Sequence, residues 1–142
     1  MLRPYFKSLP LIAILRGVTP REVEGIATAL YHEGFRAIEV PLNSPDAFDS
    51  IGVLARVMPT DCIVGAGTVV HVAHVAHVAD AGGRLIVTPN TDTDVIRTAV
   101  AAGMIVTPGI ATATDAFAAI HAGAQWLKLF PASTYGLGHL RA

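Results

Sequence analysis

The four residues Ile86-Val87-Thr88-Pro89 return 19 positions later as Ile105-Val106-Thr107-Pro108. Each copy is a short apolar run stopped by proline, as a buried strand with its exit turn would be. The pairs Thr91/Asp94 and Thr112/Asp115, 21 residues apart, read as helix caps, and Ala81-Gly82, Ala102-Gly103 and Ala122-Gly123 each precede a strand. The unit is therefore strand, loop, capped helix, glycine, next strand. Strands apolar on both faces that alternate with helices imply a parallel sheet with the helices outside it.

Earlier parts of the chain keep the same rhythm. Pro10 to Arg16 is a first strand, and Thr19-Pro20-Arg21-Glu22 carries the residues of a reciprocal capping box. The following helix should bury Val23, Ile26, Ala27, Leu30 and Tyr31 and end at Gly34. Phe35 to Val40 is the second strand, Ser44-Pro45 opens the second helix, and Cys62 to Thr68 is the third strand with its exit loop. With strands starting near residues 10, 35, 62, 84, 105 and 126, six βα units fill the chain as a single domain over residues 1–142. Single-direction repetition of this kind points to a parallel (β/α)8 TIM barrel with six of its eight units present. On that count the barrel is incomplete at the carboxyl end, and its edge strands are left exposed.

Two glycine signals are excluded as nucleotide loops. Arg16-Gly17-Val18 has no glycine fingerprint after the first strand, and Gly65-Ala66-Gly67 has Val70 where a third glycine would be required. Close packing or close approach of a ligand accounts better for Gly65 and Gly67.

Composition excludes several classes of partner. A net charge of −1 without a basic run offers no footprint for nucleic acid or for anionic membranes. The apolar run Leu9 to Leu15 is too short to span a bilayer and is interrupted by Pro10. The single cysteine, Cys62, lies in an apolar run, so it reads as a buried structural thiol in a reducing compartment, and the protein reads as cytoplasmic. His71, His74 and His77 drift across one flank of a helix without an acidic or cysteine partner, which reads as a polar stripe and not as a metal centre.

Chemistry is concentrated at the carboxyl ends of the strands, where parallel barrels place their working residues. Those positions hold Arg16, Glu39, Thr68 and Lys128. Lys128 is one of two lysines against eight arginines and sits inside Trp126-Leu127-Lys128-Leu129-Phe130, an apolar run that reads as a buried strand. A lysine there either snorkels, joins a structural ion pair, or acts as an amine nucleophile. An imine-forming lysine, a glutamate that shuttles protons, and an arginine and threonine that hold carboxylate and hydroxyls would make a class I lyase for a 2-oxo acid. Such a lyase needs no metal and no cofactor, because the protonated imine is the electron sink.

The segments Ile38-Glu39-Val40-Pro41-Leu42-Asn43-Ser44-Pro45, Val64-Gly65-Ala66-Gly67-Thr68-Val69 and Leu127-Lys128-Leu129-Phe130-Pro131-Ala132 resemble motifs of the 2-keto-3-deoxy-6-phosphogluconate aldolase family, in the family's order. Ala13-Ile14-Leu15-Arg16-Gly17 is similar to its 2-dehydro-3-deoxy-6-phosphogalactonate branch, and Asn43 stands where gluconate enzymes carry a carboxylate-gripping arginine. The resemblance implies that Lys128 forms a Schiff base on C2 of a phosphorylated 2-oxo sugar acid. It further implies that Glu39 takes the C4 hydroxyl proton and later protonates the pyruvate enamine, that Thr68 contacts the bound 2-oxo acid, and that Arg16 grips the carboxylate. The products would be pyruvate and glyceraldehyde 3-phosphate, the full-length assembly a homotrimer, and the phosphate-binding residues would lie beyond residue 142. Alternative readings are the gluconate epimer as substrate, a phosphosugar epimerase or isomerase with Glu39 as base, and an inactive fragment that serves only as an assembly partner.

Overall fold

The computed structural model describes residues 2–7 and 9–141. After a 3₁₀ turn at Arg3–Phe6 the elements run β1 (Ala13–Ile14), α1 (Val23–His32), β2 (Ala37–Pro41), α2 (Ala47–Val57), β3 (Ile63–Gly67), α3 (Val72–Asp80) and β4 (Leu85–Val87). They continue through α4 (Thr93–Ala101), β5 (Ile105–Thr107), β6 (Gly109–Ile110), α5 (Ala113–His121), β7 (Lys128–Leu129) and α6 (Ala132–Arg141). Strands β1 to β5 form one sheet in sequence order, all neighbours parallel, and β6 pairs in parallel with β7. A strand order without reversal belongs to a barrel wall and not to a doubly wound sheet.

Pro108 explains why six expected strands appear as seven. It has no N–H to donate, so the fifth strand breaks there. Its first half, β5, pairs back to β4, and its second half, β6, pairs forward to β7, with Lys128 N–H donating to Pro108 O at 2.9 Å.

Alternation along the strands separates two apolar layers. Ala13, Ile38, Val40, Val64, Ala66, Ile86 and Val106 join one core with the helices. Ala37, Ile63, Leu85, Val87 and Ile105 point the other way, into the concave face, where Leu2, Tyr5, Phe6 and Trp126 pack on them. Phe6 meets Trp126 edge to face at 5.5 Å. The amino-terminal turn thus stoppers the amino end of the barrel and leaves the carboxyl ends of the strands open. Burial of Leu2, Ile63, Leu85 and Val87 contributes about 1.5–3 kcal/mol each.

Some sequence expectations shift. Thr112 and Asp115 form the expected capping box, but α4 is capped by Asp92, while Thr91 donates to Gly109 O at 2.7 Å. Glu22 accepts from both the N–H and the hydroxyl of Thr19, so only half of the reciprocal box forms. Ile26, expected inside, is exposed beside the likewise exposed Ile14, because among the described residues β1 pairs only with β2. The Lys128 strand, expected to be buried, forms only a two-residue ladder and is half-buried, since β7 pairs only with β6 among those residues.

Gly65 is where β3 and β4 touch: a Cβ there would lie 1.9 Å from Leu85 O. Gly65→Ala is expected to cost more than about 3 kcal/mol. Gly25→Ala, which meets nothing within 4 Å in exposed α1, should be neutral or stabilising by up to about 1 kcal/mol. Urea unfolding of the two variants checks the contrast, and equal stabilities would contradict it.

Candidate active site

Glu39 is the pivot of the site. It is 2% exposed, lies on the inward phase between Ala37 and Pro41, and its Oε2 is buried without a hydrogen-bond partner among the described residues. The carboxyl group occupies the space where Gly67 lacks a side chain: a Cβ on Gly67 would sit 1.7 Å from Glu39 Oε2. Burial pushes the carboxyl from an ordinary value of 4.5 up to about 7, against the opposing pull of the Lys128 and Arg16 charges. Those two cations, from opposite ends of the chain, therefore act on one carboxylate.

Lys128 rises from β7 on the inward phase shared with Trp126, half-buried, with Nζ 4.7 Å from the Phe130 ring centre. Arg16 leaves the end of the first strand and is exposed at the rim; its Nη1 donates to Asn43 Oδ1 at 3.1 Å. One residue on, Gly17 N–H donates to the buried Ser44 hydroxyl at 3.0 Å. The loops after β1 and β2 are thus tied together twice. Thr68 follows Gly67 directly with φ 58, a left-handed conformation that costs a β-branched residue about 1–2 kcal/mol and is concentrated at functional positions.

The four sequence-predicted residues accordingly fall at the carboxyl-end rim, with Glu39 the deepest. Two others were not singled out as site residues. Ser44 is legible only as a helix opener, and Thr107 only as half of a repeat.

Cys62 is buried on the helix side, where desolvation pushes its thiol up to about 11. His74 and His77 stack edge to face on Phe48, on the outer helices α2 and α3. Among the described residues no group of three or more His, Cys, Asp or Glu side chains could hold a metal ion, and no helix is long and apolar enough to cross a membrane.

The fold and this rim define a (β/α)-barrel protein with an amine and a buried carboxylate at its strand ends. Residues 3–142 match the family described as KDPG and KHG aldolase, and the chain belongs to that family. A probable 2-dehydro-3-deoxy-6-phosphogalactonate aldolase of Rhizobium meliloti (strain 1021) is 54% identical over 127 residues, 89% of this chain and 60% of that protein. The 2-dehydro-3-deoxy-6-phosphogalactonate aldolase of Escherichia coli (strain K12) is 49% identical over 134 residues, 94% of this chain and 65% of that protein. A solved structure described as native KDPGal superimposes with a TM-score of 0.92 at 48% identity, covering 95% of this chain and 66% of that one. The chain therefore spans 60% to 65% of the length of these two curated relatives.

The raised carboxyl has a measurable signature. Folded protein keeps a proton on Glu39 that the unfolded chain releases, so this group's contribution to stability falls as pH rises from 4.5 to about 7. Glu39→Gln removes that titration. Its unfolding free energy relative to the parent should therefore be higher at about pH 8 than at about pH 4, by on the order of 3 kcal/mol. A difference that does not change with pH would contradict the burial of the charge.

Proposed function

We propose that this chain carries the Schiff-base half of a class I aldolase that cleaves 2-dehydro-3-deoxy-6-phosphogalactonate to pyruvate and glyceraldehyde 3-phosphate. The observation that carries the reading is the buried Glu39 carboxyl, poised at about 7 and sensing the charge of Lys128. A base that titrates near neutrality can both take and return a proton. Lys128 attacks C2 of the 2-oxo acid and forms the imine with loss of water. Glu39 takes the C4 hydroxyl proton as C3–C4 breaks, and the electron pair moves into the enamine. Glu39 then returns the proton to C3, and hydrolysis releases pyruvate.

Arg16 and Thr68 hold the 2-oxo acid in this scheme. Arg16 reaches the rim as a guanidinium directed by Asn43 and suits a carboxylate. Thr68 stands one residue beyond the glycine that accommodates Glu39. The galactonate epimer is favoured because the relatives at 54% and 49% identity are named for it. We further take residues 1–142 as part of one barrel domain, cytoplasmic and homotrimeric, with phosphate recognition supplied by residues outside this span.

Reduction with borohydride in the presence of pyruvate should attach the three-carbon unit irreversibly to Lys128 and leave Lys7 unmodified, as read by peptide mass spectrometry. Lys128→Arg should abolish the adduct, because a guanidinium forms no imine. Labelling at Lys7 alone, or none in folded protein, overturns the reading. Deuterium exchange into the pyruvate methyl group should rise with pH through about 7 as Glu39 ionises. A rate independent of pH across that range would remove Glu39 as the base.

A further inference from the structure

The sequence repeat makes Thr88 and Thr107 equivalents, 19 positions apart. The strands pair 20 apart: Leu85 with Ile105, and Val87 with Thr107. A slip of one residue turns a strand side chain to the other face, so the two threonines have opposite surroundings. The Thr88 hydroxyl donates to Asn90 O and accepts from Gly109 N–H at 3.4 Å. Thr107 is on the inward phase with Ile105, is 7% exposed, and its Oγ1 is buried without a partner among the described residues. Its structural counterpart on β4 is Val87, so this level of the wall accepts a branched apolar side chain. Buried hydroxyls are otherwise hydrogen-bonded.

A second buried oxygen without a protein partner faces the same interior: Glu39 Oε2, above Gly67. The register level of Glu39 runs through Gly65 on β3, Leu85 on β4 and Ile105 on β5, and Thr107 lies two residues beyond Ile105 at the carboxyl end of β5. Two residues further along that inward phase is Gly109, the register partner of Lys128. In strand order and in height along the wall, Thr107 therefore lies between the level of Glu39 and that of Lys128. The other such atoms among the described residues, Ser50 Oγ and His74 Nδ1, belong to the outer helices α2 and α3.

We infer that Thr107 is a positioning residue for proton transfer. Its hydroxyl holds a hydroxylic oxygen, either water or a hydroxyl of the bound acid, through which Glu39 exchanges protons with the carbon chain on Lys128. The inference rests on the Schiff-base reading above. In the step concerned, the ionised Glu39 receives a C3 proton of the pyruvyl imine. The C–H electron pair becomes the C2=C3 bond of the enamine, and the C2=N pair moves onto nitrogen. Return of a proton from Glu39 to C3 reverses the step, and Thr107 gains or loses no net proton.

Two measurements with pyruvate separate the roles. Borohydride trapping at Lys128 reads imine formation alone; deuterium exchange into the pyruvate methyl group, followed by NMR in D2O, reads imine formation and proton transfer together. Thr107→Val should trap pyruvate within about twofold of the parent at saturation and exchange at least about tenfold more slowly, the scale of a disturbed proton transfer. Thr107→Ser should restore exchange to within about threefold, since it restores the hydroxyl. Exchange undiminished in Thr107→Val, or slowed equally in the valine and serine variants, overturns the inference, as does a parallel loss of trapping and exchange. Failure of the parent protein itself to trap pyruvate at Lys128 overturns the Schiff-base reading instead, and this inference with it.

Discussion

A carboxyl group placed where a neighbouring residue has no side chain is the constraint on which the concave face depends. Glu39 holds its buried position in the space that Gly67 leaves and that a Cβ there would fill. The arrangement removes water from the carboxyl without giving its Oε2 a partner, and desolvation then outweighs the attraction of two nearby cations. An arrangement in which Arg16 or Lys128 closed a direct ion pair with Glu39 would favour the ionised form and hold its proton affinity low. Here the charges are near enough to be felt, and among the described residues neither forms an ion pair with it. The group remains able to exchange protons near neutrality.

The wall around it follows one rule. Inward Ile63, Leu85 and Ile105 are apolar and share a cluster with Leu2, Phe6 and Trp126, whereas Glu39, Gly67 and Thr107 bring a charge, a gap and a hydroxyl to the inward face further along the strands. The division makes the amino end a stopper and the carboxyl end a reaction surface, so one set of strands serves both stability and chemistry. The outer layer of Ile38, Val40, Val64, Ala66, Ile86 and Val106 keeps the strands in register against the helices.

Much of this was legible from residue order. The glycine and capping punctuation separates the six units, and the isolated charges Arg16, Glu39 and Lys128 inside or at the ends of apolar runs mark the rim without any coordinates. Register was not legible. The copies Ile86-Val87-Thr88 and Ile105-Val106-Thr107 look interchangeable, yet hydrogen bonding pairs them one residue out of phase, and only that phase distinguishes an inward threonine from an outward one. Burial of the Lys128 strand was overestimated for a related reason. Hydrophobicity reports which residues tolerate a core, whereas the number of neighbouring strands decides how much core surrounds them. The Asp92 cap was missed because aspartate and threonine are comparable caps in adjacent positions, and Thr91 found a different acceptor in Gly109 O.

The tie between Arg16 and Asn43 has a further electrostatic meaning. An amide oxygen can fix the direction of a guanidinium while leaving its formal charge intact, whereas an aspartate in that place would have cancelled it and used up the planar fork suited to a carboxylate. With one of its donors engaged by a neutral acceptor and no ion pair among the described residues, the cation at the rim is aimed yet still hungry for an anion.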